Sequence, residues 1–235
     1  MVCSHPRVPK KDNLIVRAFR LLKQECVFQG GVSVKLVKRI PIGGGLGGGS
    51  SNAAVFLLGM NRLFRLGLSR AKLMKLGSRL GSDIPYFIAG IRHGIARGRG
   101  ERIQSLPFKK KLWFLLFPSQ RGLSTRKVYS HFRLRGSLTG LGHSVRMTHA
   151  FLEKRNLEQA KYFLLNDLTE SAEKIRPSLK KTRESLSDLQ LGTCQMSGSG
   201  PTLFIVFNSH QKACQAFRQF RARRLAKNVI LSHSY

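Results

Sequence analysis

Acidic residues are scarce in this chain, in which 11 Asp and Glu stand against 42 Lys and Arg and leave a formal net charge of +31. A charge of this size attracts polyanions without any designed site, so we expect non-specific polyanion binding. We expect no dedicated nucleic-acid partner, because the basic residues are spread over nearly every segment. The local clusters Lys109–Lys111 and Arg221–Arg224 are short, and stacking aromatic residues interleave neither of them.

Cysteine and long apolar runs are also lacking. The four cysteines lie far apart and form neither a metal-ligand pair nor a redox pair, which indicates free thiols in a reducing compartment. They are Cys3, Cys26, Cys194 and Cys214. The longest apolar run, Leu112–Phe117, falls far short of the roughly 20 residues that a membrane-spanning helix needs. Since residues 1–12 contain no apolar stretch for secretion either, we expect a cytoplasmic protein with no membrane partner.

What is present indicates a globular protein of two domains. The chain has 235 residues and an apolar fraction of 42%, with Leu and Phe along its whole length, which excludes a disordered chain. A polar, basic and glycine-bearing segment follows Pro118, so we place the boundary at Pro118–Ser124, with domains at 1–118 and 119–235. The last part alternates predicted strands and helices with antiparallel pairing, which makes the fold class α+β.

A glycine-rich loop lies between a predicted strand and a predicted buried helix. Alternating polarity over residues 32–36 indicates a strand that Pro41 ends, and apolar residues at helical spacing follow from Ser50. Between them, six of the seven residues from Gly43 to Gly49 are glycine. Glycines let consecutive N–H groups approach a phosphate, and the helix start adds unpaired donors and a positive dipole end. The alternative is a flexible linker, but a linker is not normally tied to a strand and a buried helix.

Two other phosphate-binding motifs are excluded by what this loop lacks. A Walker loop requires Gly-Lys-Ser/Thr, and no lysine follows Gly49. The glycine spacing formally satisfies the dinucleotide pattern, but that pattern needs an acidic residue about 20 positions later at the end of a strand. No Asp or Glu occurs between Glu25 and Asp83, so the dinucleotide interpretation fails.

Asp83 is the candidate general base. Transfer of a phosphoryl group to a hydroxyl needs positioned phosphates, charge stabilisation and usually a carboxylate that accepts the hydroxyl proton. Asp83 and Glu101 are the only acidic residues between Glu25 and Glu153, and Asp83 stands at a predicted helix start beside Pro85. The alternative role for Asp83 is a helix cap, which aspartate often forms at such a position. Glu101 is expected to be a turn residue paired with a neighbouring arginine.

A second glycine turn and a threonine are further candidates. The turn Ser197-Gly198-Ser199-Gly200 lies between two predicted strands, where glycines also serve a simple hairpin. Thr125 follows Ser124 at a predicted helix start and has the alternative role of a helix-start hydroxyl. Residue patterns alone leave both alternatives open.

The loop and its flanks resemble the ATP-binding motif of the GHMP kinases, a superfamily of small-molecule kinases. The matching residues run from Lys38-Arg39-Ile40-Pro41-Ile42 through the loop and Ser50-Ser51-Asn52-Ala53-Ala54 to Leu63. The doubled glycine triplet resembles the kinases of 4-diphosphocytidyl-2-C-methyl-D-erythritol in particular, as do the segments Asp12–Ala18 and Leu80–Phe87. The resemblance implies a two-domain fold, with an incomplete N-terminal part like ribosomal protein S5 domain 2 and a ferredoxin-like C-terminal α+β domain.

The resemblance also implies a reaction and a role for each candidate residue. The reaction is ATP-dependent phosphorylation of the 2-hydroxyl of the cytidyl-methylerythritol substrate, in the non-mevalonate route to isoprenoid precursors. Asp83 matches the catalytic aspartate. Independently of the resemblance, the hydroxyls of Ser50 and Ser51 offer two alternatives, further donors to a phosphate or ligands of Mg²⁺, and the metal ligands stay unassigned. The ATP-binding positions are Pro41, Ile42, Gly43, Gly44, Gly45, Leu46, Gly47, Gly48, Gly49, Ser50 and Ser51. The substrate-binding positions are Thr125, Ser197, Gly198, Ser199 and Gly200.

Two segments of the resembled kinases are missing ahead of the first helix. They are a strand with Pro-Ala-Lys-Leu-Asn-Leu and a Gly-Tyr-His turn, and Lys10, Lys11 and His5 do not stand in the matching context. The resemblance therefore implies an N-terminally truncated chain that does not phosphorylate this acceptor at a normal rate. The alternatives are another GHMP kinase, of the homoserine or mevalonate type, and a basic nucleic-acid-binding protein on the same fold.

Overall fold

The computed structural model describes residues 2–6, 8, 11–107, 111–133, 147, 150, 154, 159, 164–222 and 228–234. The chain forms two compact units. The first consists of Met1–Ile42 and Gly47–Pro107, and the second of Gly43–Leu46 and Phe108–Tyr235. The glycine loop is thus divided, with its first four residues in the second unit.

In the residues that the structure describes, the first unit contains four helices and four short strands. The helices are α1 (Leu14–Glu25), α2 (Gly48–Leu63), α3 (Arg70–Leu80) and α4 (Ile84–Ala89). The strands are β1 (Val2–Cys3), β2 (Lys35–Leu36), β3 (Gly94–Arg97) and β4 (Arg102–Ser105). Strands β1 and β2 pair in parallel, and β3 and β4 form an antiparallel hairpin.

Side-chain caps fix the starts of two of these helices. The Asn13 side chain accepts a hydrogen bond from the N–H of Ile15 at 2.9 Å, and the Ser69 hydroxyl accepts one from the N–H of Lys72 at 3.2 Å. Each cap satisfies a donor that the first helical turn leaves unpaired. At the start of α1 the cap is Asn13 and not its neighbour Asp12, because Asn13 has the extended backbone that a cap requires.

The core of the first unit lies among its four helices. It includes the fully buried side chains Leu22, Leu57, Leu73, Leu76, Ile84 and Ile88. Gly77 permits α3 and α4 to approach closely, because a Cβ there would lie 2.8 Å from Cγ2 of Ile84 and 2.9 Å from Cδ1 of Ile88. Burial of aliphatic side chains at about 1.5–3 kcal/mol each therefore holds the short helix α4 in place.

The second unit is built on a four-stranded antiparallel sheet in the order β6-β7-β5-β8. The strands are β5 (Trp113–Phe117), β6 (Cys194–Met196), β7 (Leu203–Phe207) and β8 (Ile230–His233). The helices whose bounds the structure describes in this unit are α5 (Thr125–Ser130), α6 (Thr169–Ile175), α7 (Pro177–Ser187) and α8 (His210–Ala222). Buried residues of the sheet and helices, among them Leu115, Ile205 and Phe220, form one hydrophobic core.

The α+β class expected from the sequence is confirmed by these elements and by their antiparallel pairing. Strand β5, which we had placed in the first domain, pairs on both sides with strands of the second unit. The polar and basic segment that follows Pro118 lies partly outside the described residues. The clusters Lys109–Lys111 and Arg221–Arg224 do so as well. Of the helices that the structure describes, none has the length and apolar character to cross a membrane.

Candidate active site

Helix α2 begins at a glycine whose conformation and surroundings admit no side chain. Gly47 precedes the helix with φ 66° and ψ 8°, in the left-handed region that glycine tolerates best. A Cβ on Gly47 would lie 2.7 Å from Cζ of Phe87, so the ring of helix α4 occupies the space that a side chain would need. Residue 47 therefore contributes only backbone atoms at the start of α2.

The first turn of α2 has free donors and a nearby cation. No side chain caps the helix and no acidic residue lies in its first turn. The backbone N–H groups at a helix start carry the positive end of the helix dipole and suit an anion. The Lys38 ammonium donates to the carbonyl of Gly48 at 3.2 Å, and burial lowers the pKa of Lys38. The helix start and the Lys38 ammonium together raise the positive potential where the glycine loop meets the helix, whereas the burial of Lys38 works against its charge.

Asp83 stands at the start of α4 and is exposed. It occupies the cap position with a helical backbone, φ −84° and ψ −16°, and its side chain makes no capping hydrogen bond. The capping role considered for Asp83 is therefore not realised here. The carboxylate stays free of the local backbone, as a group that accepts a proton from a substrate must.

Helix α4 holds Asp83 on the same side of the unit as the start of α2. Phe87 lies four residues after Asp83 and so projects from the same face of α4. Its ring contacts Gly47 at the start of α2. On the other side, the turn of the β3–β4 hairpin packs against the residue before Asp83, because a Cβ on the buried Gly100 would collide with the Ser82 carbonyl. Asp83 is thus fixed between two elements by close backbone packing.

In the second unit, the first half of the glycine loop is bound to the Ser-Gly-Ser-Gly turn. The Ser197 hydroxyl donates to the Gly45 carbonyl at 2.9 Å, and the Thr202 N–H donates to the Gly44 carbonyl at 3.3 Å. Gly45, with φ 73°, lies directly against the turn, where a Cβ would be 3.0 Å from the backbone nitrogen of Gly200. The two glycine motifs found separately in the sequence therefore form one structure.

Thr125 joins the same cluster. Its hydroxyl lies 2.9 Å from the Ser199 hydroxyl, and Ser199 is buried. Ser124 caps α5 by accepting from the N–H of Lys127, so the helix-start role falls to Ser124 and not to Thr125. The Leu123 N–H adds a bond of 3.2 Å to the Gly43 carbonyl.

Asn166 braces the turn and was missed in the sequence. Its amide nitrogen donates to the carbonyls of Met196 and Gly198, both at 2.8 Å, and its amide oxygen accepts from the N–H of Leu168 at 3.0 Å. An Asn-Asp pair just ahead of a helix was the only sequence signal, and it gives no indication of a partner 30 residues away. Lys38 was likewise read only as part of a motif.

The remaining candidate positions fall in two groups. Gly43, Gly44, Gly45 and Leu46 belong to the second unit with Thr125 and Ser197–Gly200, whereas Pro41, Ile42 and Gly47–Ser51 belong to the first unit with Asp83. Ser51 donates its hydroxyl proton to the Gly48 carbonyl at 3.2 Å and keeps its lone pairs free. Within the described residues, no group of three or more His, Cys, Asp or Glu is arranged to hold a metal ion.

Known proteins with similar sequences are kinases. A curated relative from Synechococcus sp. (strain JA-3-3Ab), named 4-diphosphocytidyl-2-C-methyl-D-erythritol kinase, is 39% identical over 223 residues, which cover 92% of this chain and 72% of the relative. A relative of the same name from Syntrophus aciditrophicus is 37% identical and is matched over 73% of its length.

Solved structures give the same result. The crystal structure of a 4-(cytidine 5'-diphospho)-2C-methyl-D-erythritol kinase superposes with a TM-score of 0.74 at 30% identity and covers 99% of this chain and 80% of that one. A homoserine kinase from Cytophaga hutchinsonii has a TM-score of 0.72 at 18% identity over 100% of this chain and 80% of its own, a likeness of fold alone. The two-domain fold expected from the loop motif is confirmed.

Family models match both parts of the chain. The model described as GHMP kinases N terminal domain matches residues 13–91, which include the glycine loop and Asp83. The model described as GHMP kinases C terminal matches residues 144–225, which include the Ser-Gly-Ser-Gly turn. The chain therefore belongs to the GHMP kinase family.

Proposed function

We propose that this chain transfers a phosphoryl group from ATP to the 2-hydroxyl of 4-diphosphocytidyl-2-C-methyl-D-erythritol. The observation that carries the proposal is identity of 39% over 92% of the chain to a kinase named for this substrate. Further relatives at 35–37% identity bear the same name. A kinase of this kind needs a phosphate site, a proton acceptor and an acceptor site, and the described residues offer a candidate for each.

The phosphates of ATP are assigned to the second half of the glycine loop and the start of α2. Uncapped N–H groups, the absence of acidic residues in the first turn and the Lys38 ammonium all favour a polyanion there. The Phe87 ring fills the space that a side chain at position 47 would need, so only glycine fits at the start of α2. The first half of the loop, bound to the turn at Ser197–Gly200, supplies the remaining glycines of the motif.

Asp83 is assigned as the general base. In the transfer, the acceptor hydroxyl oxygen forms a bond to the γ-phosphorus, while the bond from that phosphorus to the β,γ-bridging oxygen breaks. The bridging oxygen leaves with ADP, and the hydroxyl proton passes to the Asp83 carboxylate. An exposed carboxylate with no capping bond is available for this proton, whereas a capping carboxylate would already be engaged.

Mg²⁺ fits the donor set of the loop. The hydroxyls of Ser50 and Ser51 would be its neutral oxygen ligands, since Mg²⁺ in phosphoryl-transfer sites is commonly bound by few protein ligands together with the substrate phosphates. When bound, the ion neutralises negative charge on the phosphate oxygens. The protein itself positions the phosphates and accepts the proton.

Thr125 and the turn Ser197–Gly200 are assigned to the acceptor. The paired hydroxyls of Thr125 and Ser199, 2.9 Å apart, form a polar surface that suits the hydroxyl groups of a methylerythritol chain. The alternative acceptors homoserine and mevalonate are less supported, since the homoserine kinase likeness at 18% identity extends to the fold alone.

The experiment that tests this function follows the fate of the phosphoryl group. The 235-residue chain is incubated with ATP, Mg²⁺ and the cytidyl acceptor, and the products are followed by ³¹P NMR. We expect a new phosphomonoester on the acceptor and ADP in equal amounts. Inorganic phosphate with unchanged acceptor would mean hydrolysis, and the proposed transfer would then be wrong.

A further inference from the structure

The β3–β4 hairpin carries positive charge that the described part of the chain does not neutralise. Arg97, Arg99 and Arg102 lie at its turn end, all exposed, beside one carboxylate, Glu101. That carboxylate is engaged by the turn itself, because it accepts a hydrogen bond from the Arg99 backbone N–H at 2.7 Å. Among the described residues, none of the three guanidinium groups forms a hydrogen bond or an ion pair.

Two of these arginines face each other across the hairpin. Arg97 and Arg102 are direct partners in the antiparallel register, so their side chains leave the same face of the hairpin. The Cβ atoms of such a pair lie about 4.5–5.5 Å apart, and like charges in this position destabilise the strands. An anion between them would turn the repulsion into two attractions. Guanidinium groups suit phosphate in particular, because their fork of N–H donors matches its oxygens.

The hairpin end also lies beside the candidate base. Gly100, between Arg99 and Glu101, is buried and packs against the backbone carbonyl of Ser82, the residue before Asp83. This close approach fixes the turn end of the hairpin next to the start of α4, within the same unit. The hairpin end that carries the arginines and the segment that carries Asp83 are therefore neighbours in the same unit.

We propose that Arg97 and Arg102, with Arg99 in the turn, form an arginine clamp for a phosphate-ester polyanion during the reaction. The proposal rests on the proposed function, because it places the clamp beside the base of a phosphoryl transfer. The ligand chemistry is a chain of two or more linked phosphates. Two substrates offer it: the triphosphate of the nucleotide donor and the diphosphate of the cytidyl acceptor.

The first test measures inorganic pyrophosphate binding to the full chain by calorimetry and by thermal unfolding. Arg97→Gln and Arg102→Gln are compared with Arg218→Gln, which removes the same charge from the exposed side of α8. We expect each clamp variant to bind pyrophosphate about tenfold more weakly, the loss of one charge-assisted hydrogen bond, while the control binds as the natural chain does. Without ligand, the clamp variants should unfold at the same or a higher temperature, because the opposed charges are relieved.

A second measurement distinguishes the source of the phosphates. Weaker binding of CDP with unchanged binding of ADP assigns the clamp to the acceptor, and the reverse result assigns it to the donor. Pyrophosphate affinities of the clamp variants within about twofold of the control would overturn the proposal. Pyrophosphate binding is measured without turnover, so the two proposals can fail separately. If the chain does not phosphorylate the cytidyl acceptor, but Arg97→Gln still weakens pyrophosphate binding, the proposed function is wrong and the clamp stands.

Discussion

Asp83 differs from an ordinary helix-start aspartate in what its side chain does. The caps Asn13 and Ser69 accept backbone N–H groups at 2.9 and 3.2 Å, whereas Asp83 occupies its cap position without such a bond. A carboxylate that does not support its own helix contributes little to folding. The proposed role of general base and the alternative role of helix cap predict different consequences of mutation.

Asp83→Asn should lower turnover by about 10² to 10⁴ while nucleotide affinity and the unfolding midpoint change little, because the amide keeps the shape but accepts no proton. Steady-state kinetics and thermal unfolding measure both. The matched control is Ser69→Ala, which removes a true cap and should cost about 1 kcal/mol of stability without a loss of turnover. A turnover loss below about tenfold for Asp83→Asn would assign that residue a merely local role.

Cys194 gives a prediction on pH that is independent of catalysis. Burial raises the pKa of this thiol from 9.0 to about 12, with a smaller opposing effect from Arg183. The folded state therefore keeps a proton that the unfolded state loses, so this contribution to stability is complete below pH 9.0 and is lost as pH rises towards 12. The stability of the natural chain should fall by about 1.4 kcal/mol per pH unit more than that of Cys194→Ala in this range. Urea unfolding at several pH values measures the free energy of unfolding of both proteins. An equal pH dependence of the two would contradict the raised pKa of Cys194.

At the scale of elements, the glycine loop has two halves with different tasks. Gly43–Leu46 is held by hydrogen bonds within the second unit, including those from Ser197 and Thr202. Gly47 and the residues after it start α2, where the Phe87 ring leaves no space for a side chain. The first half needs close backbone contact, and the second needs a left-handed residue ahead of uncovered donors.

Gly47→Ala should weaken ATP binding by at least about tenfold and lower the unfolding midpoint. The left-handed backbone costs alanine about 1–2 kcal/mol, and its Cβ would meet the Phe87 ring at 2.7 Å. The matched control is Gly59→Ala in the same helix, where a Cβ meets nothing within 4 Å and helix propensity should stabilise by about 0.5–1 kcal/mol. Equal ATP affinity in the two variants, measured by calorimetry, would contradict the role of Gly47.

Asn166→Ala should destabilise the second unit by about 1–3 kcal/mol, because the Met196 and Gly198 carbonyls both lose their amide donor. The turn that it braces contacts the glycine loop, so acceptor-dependent activity should fall with it. Thr182→Ala is the control: it removes one exposed hydroxyl bond within α7, of 2.9 Å, and should change stability by less than about 0.5 kcal/mol. Equal unfolding curves for the two variants would show that the brace has no energetic role.

The elements were predictable from sequence where the signal is local. The glycine loop ahead of a buried helix and the alternating strands and helices at the end of the chain follow from turn residues and alternating polarity, and the structure has both. Strand β2 is shorter than expected, because only Lys35 and Leu36 find a partner. The Asn166 brace and the contact of Gly100 with Ser82 depend on residues distant in sequence. No local pattern contains such contacts.

At the scale of the whole molecule, the two compact units and the family membership agree with the motif resemblance. The motif identified the family because the glycine loop has to meet several requirements together. It needs close backbone contacts, a left-handed residue and a helix start with free donors. The net charge of +31 has no such specific explanation. Non-specific polyanion binding that weakens steeply with salt remains our expectation for the rest.

The central claim is the identity of the acceptor. It is tested most directly by ATP consumption of the 235-residue chain with the cytidyl-methylerythritol substrate, homoserine and mevalonate, each compared with ATP alone. We predict that ADP forms above background with the cytidyl substrate only. Each acceptor is compared with ATP alone, so the prediction does not depend on the absolute rate of the enzyme. Consumption that is stimulated equally by homoserine or mevalonate, or by none of the three acceptors, would contradict the account.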